Sequence, residues 1–159
     1  MLYDVAEKHT QDAIEFIGQR LEDSFQNGKI TENSKVQVLK NIKPVHALDE
    51  LFKAKLIVEA VIEDLEIKQE LFCGLETVLE AESILSTNTS SLDLKKIVTK
   101  LKRPERFVGM HFFNPVPVMA LVEIIHTEET DPMITEFLSK LVKKWGKILC
   151  ISGTARGLL

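Results

Sequence analysis

A histidine and a glutamate interrupt apolar stretches in the second half of the chain. His111 lies in GMHFFNPVPVM (109–119), directly before two phenylalanines, and Glu123 stands between Val122 and Ile124. A carboxylate in an apolar strand must be paired or functional. Paired with an imidazole, it fixes the ring tautomer and leaves the other ring nitrogen as a general base toward a hydroxyl group. The pattern therefore indicates proton transfer, against two structural alternatives: a histidine satisfied in the core, and an edge-strand glutamate facing water.

Further polar residues follow the apolar runs of the chain. Parallel sheets bind ligands outside the carboxyl ends of their strands, so polar residues at those ends are candidates for one shared crevice. The residues at predicted strand ends are Asp4, Glu59, Glu63, Asn88, Ser90, His111 and Asn114. Asn88 and Ser90 are equally explained as turn or cap residues, and Asp4 as a residue flanking a helix. The remaining histidines, His9, His46 and His126, receive no role.

The elements that would position these residues alternate between helix and strand. Apolar spacing and capping residues predict helices over 7–26, from Asp64 onward, from a Ser90/Asp93 capping box to about Lys100, and from Asp131-Pro132 to Gly146. Strands are predicted over 35–43, 55–62, 83–89, 106–113, 120–127 and 147–152, with a short stub before Asp4. The 55–62 run is almost continuously apolar, which predicts burial on both faces. This alternation predicts βαβ units and a parallel sheet with helices on both faces.

Composition excludes several classes of protein. The 159 residues, 45% of them hydrophobic, suit one globular domain with a sizeable core. A formal charge of -4 with interspersed signs argues against a nucleic-acid partner. Cys73 and Cys150 show no metal-ligand spacing and are interpreted as buried thiols in a reducing compartment. No signal peptide or membrane-spanning run is visible, so we expect no membrane partner and a cytoplasmic or mitochondrial-matrix location.

Three segments, in this order, resemble the nucleotide-binding domain of the L-3-hydroxyacyl-CoA dehydrogenases of fatty-acid oxidation and butyryl-CoA metabolism. They are LIVEAVIEDLEIKQELF, ILSTNTSSL and RPERFVGMHFFNPVPVMALVEII. The HFFNP run, with a glutamate twelve residues beyond its histidine, is the most specific part, and the resemblance covers about residues 1 to 150. It implies a Rossmann-like, doubly wound, mostly parallel sheet, NAD as the cofactor and an acyl-CoA as the substrate.

The resemblance also implies roles for individual residues. His111 would remove the proton of the 3-hydroxyl group while hydride passes to NAD, and Glu123 would orient it. Ser90 would hydrogen-bond the substrate oxygen, and Asn114 would lie beside the nicotinamide and the reacting centre. The implied cofactor-binding residues are Asp4, Glu63, Lys68, Asn88, Ser90 and Asn114. Among them Asp4 would bind the adenine-side ribose, which favours NAD over NADP because a carboxylate repels a 2'-phosphate.

The sequence departs from the family pattern in two places. Its seven glycines form no G-x-G-x-x-G, so the first βα unit with its Gly-rich turn is expected to be absent, and the pyrophosphate would lose a helix N-terminus. The chain reads SGTARGLL where the family continues through a Pro-Gly-Phe turn into a helical domain. We therefore expect a partial NAD-binding domain at 1–152, a divergent tail at 153–159 and no C-terminal helical domain.

Two hypotheses on function follow. The first is a dehydrogenase domain truncated at both ends, weak or inactive as an isolated chain. The second is a noncatalytic relic that acts as a binding or assembly module. A sugar-acid dehydrogenase of the related crystallin-like branch is disfavoured by the aromatic HFFNP run. An open sheet edge would also predict pairing with a second copy, and hence a homo-oligomer.

Overall fold

The computed structural model describes residues 1–153, so of the predicted tail at 153–159 only Gly153 lies within the described part. The chain divides into two compact units, Met1–Phe52 and a second unit that begins at Lys53. Within the described residues no helix has the length and apolar character needed to cross a membrane.

The N-terminal unit is helical. Its elements are α1 (Glu7–Gln26), α2 (Glu32–Asn41) and a 3₁₀ turn at Leu48–Leu51. Helix α1 covers the predicted range 7–26, and Gly28 follows it with a φ of 67°, a conformation that glycine adopts without strain. Before α1, Leu2 forms an isolated parallel bridge with Pro44. The predicted stub of strand ending at Asp4 is therefore a single bridge.

The strand predicted over 35–43 is wrong, because most of these residues belong to helix α2. The alternation of Val36 and Val38 imitated the two-residue period of a strand, yet both valines are largely exposed and bury no sheet face. The hydroxyl of Thr31 instead caps a helix by accepting the N–H of Ser34 at 3.1 Å. The capping signal outweighed the short apolar alternation.

The second unit contains one sheet of five strands in the order β1-β2-β3-β4-β5. The strands are β1 (Leu56–Glu59), β2 (Ile84–Thr87), β3 (Phe107–Phe112), β4 (Leu121–His126) and β5 (Ile148–Gly153), and the helices are α3 (Leu65–Val78), α4 (Leu94–Val98) and α5 (Pro132–Lys144), with a 3₁₀ turn at Pro104–Arg106. The pairs β1/β2, β2/β3 and β4/β5 are parallel, whereas β3/β4 is antiparallel. The predicted α/β fold with a mostly parallel sheet is confirmed.

Helices cover both faces of this sheet, as predicted. On one face α5 packs in a buried cluster that includes Val108, Met110, Val122, Ile124, Ile134, Leu138 and Val142. On the other face Phe72 of α3 stands edge-on against Phe107 of β3, with ring centroids 5.1 Å apart. Side chains alternate between the faces of a strand, so the odd-numbered residues His111 and Glu123 lie on the same side as Phe107.

Two local predictions on this unit are wrong. Val58 is 42% exposed, so the 55–62 run is not buried on both faces, because β1 is the outermost strand of the described sheet. Asp93, and not Ser90, caps α4: its carboxylate accepts the N–H of Lys95 at 2.9 Å.

Candidate active site

His111 and Glu123 face each other across the antiparallel strands β3 and β4. They are direct partners in the strand register, and Nδ1 of His111 lies 3.6 Å from Oε2 of Glu123. Both side chains are largely buried, with 14% and 15% of their surface exposed. Strand β4 lies between β3 and β5, so the alternative of an edge-strand glutamate facing water is wrong.

The imidazole of His111 packs against an aromatic ring and leaves one ring nitrogen without a hydrogen bond. Its ring packs against Phe113, with centroids 4.5 Å apart. Its Nδ1 is buried and has no hydrogen-bond partner, because 3.6 Å is longer than a hydrogen bond. A buried nitrogen of this kind is costly unless it finds an acceptor, and Glu123 is the carboxylate that faces it.

A third residue, Ser152 of β5, completes this group. Its hydroxyl donates a hydrogen bond to Oε1 of Glu123 at 2.8 Å. The carboxylate therefore has one oxygen bound by the serine and the other directed at the histidine. The three adjacent strands β3, β4 and β5 each contribute one residue to this group, which consists of His111, Glu123 and Ser152.

A second polar cluster lies at the carboxyl ends of β1 and β2. Its centre is a buried ion pair: Nζ of Lys68 lies 2.6 Å from Oε1 of Glu59, and each side chain is only 1% exposed. The other carboxylate oxygen of Glu59 accepts the hydroxyl of Thr87 at 2.6 Å. The backbone of Val61 closes the network, since its N–H donates to Glu59 at 2.5 Å and its carbonyl accepts from Lys68 at 3.1 Å.

Glu63 extends this cluster toward the surface. Its Oε1 accepts the hydroxyl of Thr89, the N–H of Ser90 at 3.1 Å, and both the N–H and the hydroxyl of Ser91 at 3.3 and 3.1 Å. Its Oε2 lies 3.4 Å from Nζ of Lys68. Partial burial alone would raise the pKa of Glu63, but these hydrogen bonds and the lysine charge outweigh it and lower the pKa to about 2. Glu63 is thus a carboxylate at neutral pH and fixes the loop that follows β2.

Asn88 links the two polar clusters. Its backbone N–H donates to the carbonyl of Glu59 at 2.8 Å, and its side-chain oxygen accepts the N–H of Phe112 at 2.8 Å. The ends of β1, β2 and β3 are thereby tied together next to His111. The convergence that the strand ends predicted is present for Glu59, Glu63, Asn88, Ser90 and His111.

Asn114 lies in an exposed connection between β3 and β4. Its peptide bond to Pro115 is cis. The ammonium group of Lys147 holds this connection, because it donates to the carbonyls of Val116 at 2.5 Å and Met119 at 2.6 Å. Lys147, the residue before β5, therefore binds the segment that follows Asn114.

Asp4 belongs to the N-terminal unit. Its carboxylate accepts the N–H of Ala6 at 2.8 Å and lies 3.1 Å from Nδ1 of His9. The hydrogen bond from Ala6 is the main cause that lowers the pKa of Asp4, with a smaller contribution from His9. Asp4 is thus an ionised residue just before α1.

The described part of the second unit fits only part of a dinucleotide. Ser90 and Asn114 are exposed polar residues suited to a nicotinamide or ribose. Dinucleotide-binding folds place the pyrophosphate at a helix N-terminus with free backbone N–H groups. The first turns of α3, α4 and α5 are instead capped by the carboxylates of Asp64, Asp93 and Asp131. The second unit therefore offers, in its described part, no helix N-terminus suited to a pyrophosphate.

Sequence reasoning missed several residues of this site. Thr87 and Thr89 stood inside the predicted strand SILSTNT (83–89), and their side chains bind the carboxylates of Glu59 and Glu63. Ser152 stood at the end of the predicted strand KILCIS, where a polar residue among apolar ones was the available signal. Its partner depends on the β4/β5 register, which no local pattern reveals.

Comparisons with known proteins agree with this fold and identify its family. Residues 1–152 match the family described as 3-hydroxyacyl-CoA dehydrogenase, NAD binding domain. A 3-hydroxyadipyl-CoA dehydrogenase of Escherichia coli is 40% identical over 147 residues, which cover 92% of this chain and 31% of the relative. A 3-hydroxybutyryl-CoA dehydrogenase of Bradyrhizobium diazoefficiens is 34% identical over 152 residues, covering 96% of this chain and 52% of the relative.

A solved structure gives the same result. The crystal structure of 3-hydroxybutyryl-CoA dehydrogenase from Escherichia coli superposes with a TM-score of 0.96 at 38% identity, covering 98% of this chain and 33% of that one. The chain thus spans between about a third and a half of the length of these relatives. The expected Rossmann-like fold and the family cofactor NAD are confirmed. The chain belongs to the family of 3-hydroxyacyl-CoA dehydrogenase NAD-binding domains.

Proposed function

We propose that this chain carries the proton-transfer site of an NAD-dependent oxidation of an L-3-hydroxyacyl-CoA to the 3-oxoacyl-CoA. The observation that carries the proposal is the pairing of His111 with Glu123 in the middle of the sheet. A histidine beside a carboxylate in a largely buried place is an arrangement suited to a general base. The relatives named above are dehydrogenases of 3-hydroxyacyl-CoA compounds, which supports the same chemistry.

The proton moves between the substrate and the histidine. Nδ1–H of His111 faces Glu123, so Nε2 is the nitrogen left to accept the proton of the 3-hydroxyl group. Loss of that proton turns the hydroxyl oxygen into a carbonyl oxygen as the hydrogen on carbon 3 leaves as hydride. NAD, when bound, supplies the acceptor for that hydride. Glu123 stabilises the positive charge that the imidazole then carries, and in the reverse reaction His111 returns the proton.

The remaining site residues bind and orient in this proposal. Ser90 donates its hydroxyl to the substrate oxygen, and Asn114 lies beside the nicotinamide. In the second unit the proposed cofactor-binding residues are Glu63, Lys68, Asn88, Ser90 and Asn114, and in the N-terminal unit the proposed cofactor-binding residue is Asp4. Lys68 is fully buried with three oxygen partners, so we propose that it serves the cofactor side of the site through Glu63.

We further propose that the isolated chain is a weak enzyme. The aspartate caps of α3, α4 and α5 leave no cradle for a pyrophosphate in the described part of the second unit. Without those backbone contacts the affinity for a dinucleotide falls, because the phosphate charge finds no compensating N–H groups. The residues of the proton-transfer site are nonetheless present.

The test follows NADH absorbance when the purified chain meets acetoacetyl-CoA. We expect slow turnover in the parent and a loss of at least about a hundredfold in His111→Gln, since a positioned general base contributes about 10² to 10⁴. His126→Gln is the matched control, because His126 lies on β4 but on the opposite face of the sheet. Equal activity in His111→Gln and the parent would contradict the proposal. Binding of neither NADH nor acetoacetyl-CoA by a chain that melts cooperatively would favour the noncatalytic binding or assembly module.

A further inference from the structure

We propose that Ser152 is a positioning residue for the proton-transfer site, acting on His111 through Glu123. The inference rests on the proposed function, and it adds a third member to the pair. Its basis is the hydrogen bond of 2.8 Å from the Ser152 hydroxyl to Oε1 of Glu123. Oε2, the other oxygen of the same carboxylate, lies 3.6 Å from Nδ1 of His111.

Ser152 and His111 do not compete for the carboxylate. A carboxylate has two oxygens with about four lone-pair directions, so it accepts from both partners at once. In this structure each oxygen faces a different partner. A serine bond to Oε1 therefore leaves Oε2 available to the imidazole.

The hydrogen bond from Ser152 restricts rotation of the Glu123 side chain. A glutamate side chain has three rotatable bonds, and the contact from His111 alone is too long to fix them. The Ser152 bond anchors Oε1 and so keeps Oε2 on the side of the buried, unpartnered Nδ1, 3.6 Å away. Without the anchor the carboxylate is free to turn away, and Nδ1 loses the acceptor that fixes its tautomer.

The register between β4 and β5 places Ser152 beside Glu123. Strands β4 and β5 are parallel over six residue pairs, from Leu121 with Ile148 to His126 with Gly153. In that register Ser152 pairs with Ile125 and lies diagonally beside Glu123 on the same face. The hydroxyl keeps its proton throughout, so Ser152 takes no part in proton transfer and acts only by holding Glu123.

The test reads the tautomer of His111 directly, without any need for turnover. The full chain is labelled with ¹⁵N-histidine, and the ring signals of His111 are identified as those missing from His111→Gln. In the parent we expect the tautomer with the proton on Nδ1. In Ser152→Ala we expect the ratio of this tautomer to the other to fall by about threefold to tenfold, the factor that one hydrogen bond of ordinary strength supplies.

Three further variants complete the experiment. Ser152→Thr keeps a hydroxyl on the strand and should restore the parent spectrum. Ser139→Ala is the matched control, because it removes a hydroxyl that binds only the carbonyl of Thr135 on α5, and it should change nothing. Glu123→Gln removes the carboxylate and should change the tautomer ratio at least as much as Ser152→Ala.

The outcomes separate the inference from the proposed function. An unchanged spectrum in Ser152→Ala, together with a changed one in Glu123→Gln, would overturn the role of Ser152 and leave the His111 and Glu123 pair intact. An unchanged spectrum in both would refute the pair itself, and the role of Ser152 with it. Failure of Ser152→Thr to restore the parent spectrum would show that the loss in Ser152→Ala came from packing and not from the hydroxyl.

Kinetics give a second readout. With acetoacetyl-CoA and NADH, Ser152→Ala should lower kcat by about threefold to tenfold with little change in KM, since the lost hydrogen bond orients the base and touches no substrate. A rise in KM at constant kcat would contradict a positioning role, because it would indicate lost substrate binding.

Discussion

Replacing Lys68 with methionine removes the positive charge from the most deeply buried ion pair in the second unit. The methionine fills much of the same volume, so the change isolates the charge. Glu59 then keeps a buried carboxylate with two donors, the hydroxyl of Thr87 at 2.6 Å and the N–H of Val61 at 2.5 Å. It loses the ammonium group at 2.6 Å, and Glu63 loses its neighbouring charge at 3.4 Å.

The expected cost follows from burial. Both side chains are 1% exposed, so no solvent replaces the missing partner. Removal of one member of a buried pair costs about 3 to 5 kcal/mol, and the two remaining donors favour the lower end of that range. A domain stability of about 5 to 15 kcal/mol makes this a large fraction of the total. Adding Glu59→Gln to Lys68→Met removes the uncompensated charge, so the double variant should be more stable than the single one.

Urea unfolding followed by the fluorescence of Trp145 measures these differences, because the single tryptophan lies in the second unit. Far-UV circular dichroism checks that both variants are folded before urea is added. The reasoning would be refuted if Lys68→Met cost less than about 1 kcal/mol, the value typical of exposed pairs. A double variant less stable than Lys68→Met would equally contradict it.

Two further predictions concern acid stability and packing. The pKa of Glu63 is lowered from 4.5 to about 2, so its contribution is present above pH 4.5 and lost as the pH falls toward 2. Because the side chain is 38% exposed, solvent screening reduces that contribution to about 1 to 2 kcal/mol. The stability gap between the parent and Glu63→Gln in urea titrations should therefore shrink as the pH falls from 5 to about 2, and a constant gap would argue against the assigned contacts. At Gly109 an added Cβ would lie 2.8 Å from Leu94 Cδ1 and 3.1 Å from Ile125 Cβ, so Gly109→Ala should cost about 1 to 3 kcal/mol in thermal unfolding. Gly18→Ala, with nothing within 4 Å of the added carbon, is the control and should be neutral or stabilising, whereas equal Tm values for the two variants would contradict the packing of α4 on β3.

Elements with a clear start and stop were predictable from the sequence. The helix after Asp131-Pro132 begins and ends as its capping residues indicate, and Gly146 follows it with a φ of 72°. The 35–43 segment failed because two valines two residues apart match the two-residue period of a strand, whereas the same segment also follows the capping signal of a helix. Burial decides between them, and burial is a property of the whole fold.

The candidate site was predictable only in part. His111 and Glu123 stood out because each is polar within an apolar strand, a signal that one sequence carries alone. The antiparallel placement of β4 beside β3 and the reach of Ser152 depend on strand order and register. Both are set by contacts between residues far apart in the chain, so local patterns do not contain them.

The pairing of His111 with Glu123 across the antiparallel strands β3 and β4 decides where this chain tolerates insertions and deletions. Side chains alternate between the two faces of a strand. One residue added within β3 or β4, between His111 or Glu123 and the rest of the paired strand, therefore turns that side chain to the α5 face of the sheet. One residue added to the 113–120 connection leaves both partners where they are, since the register is held by the strands themselves. During divergence from related sequences, the length of that connection can drift while the lengths of the two strands beside it cannot.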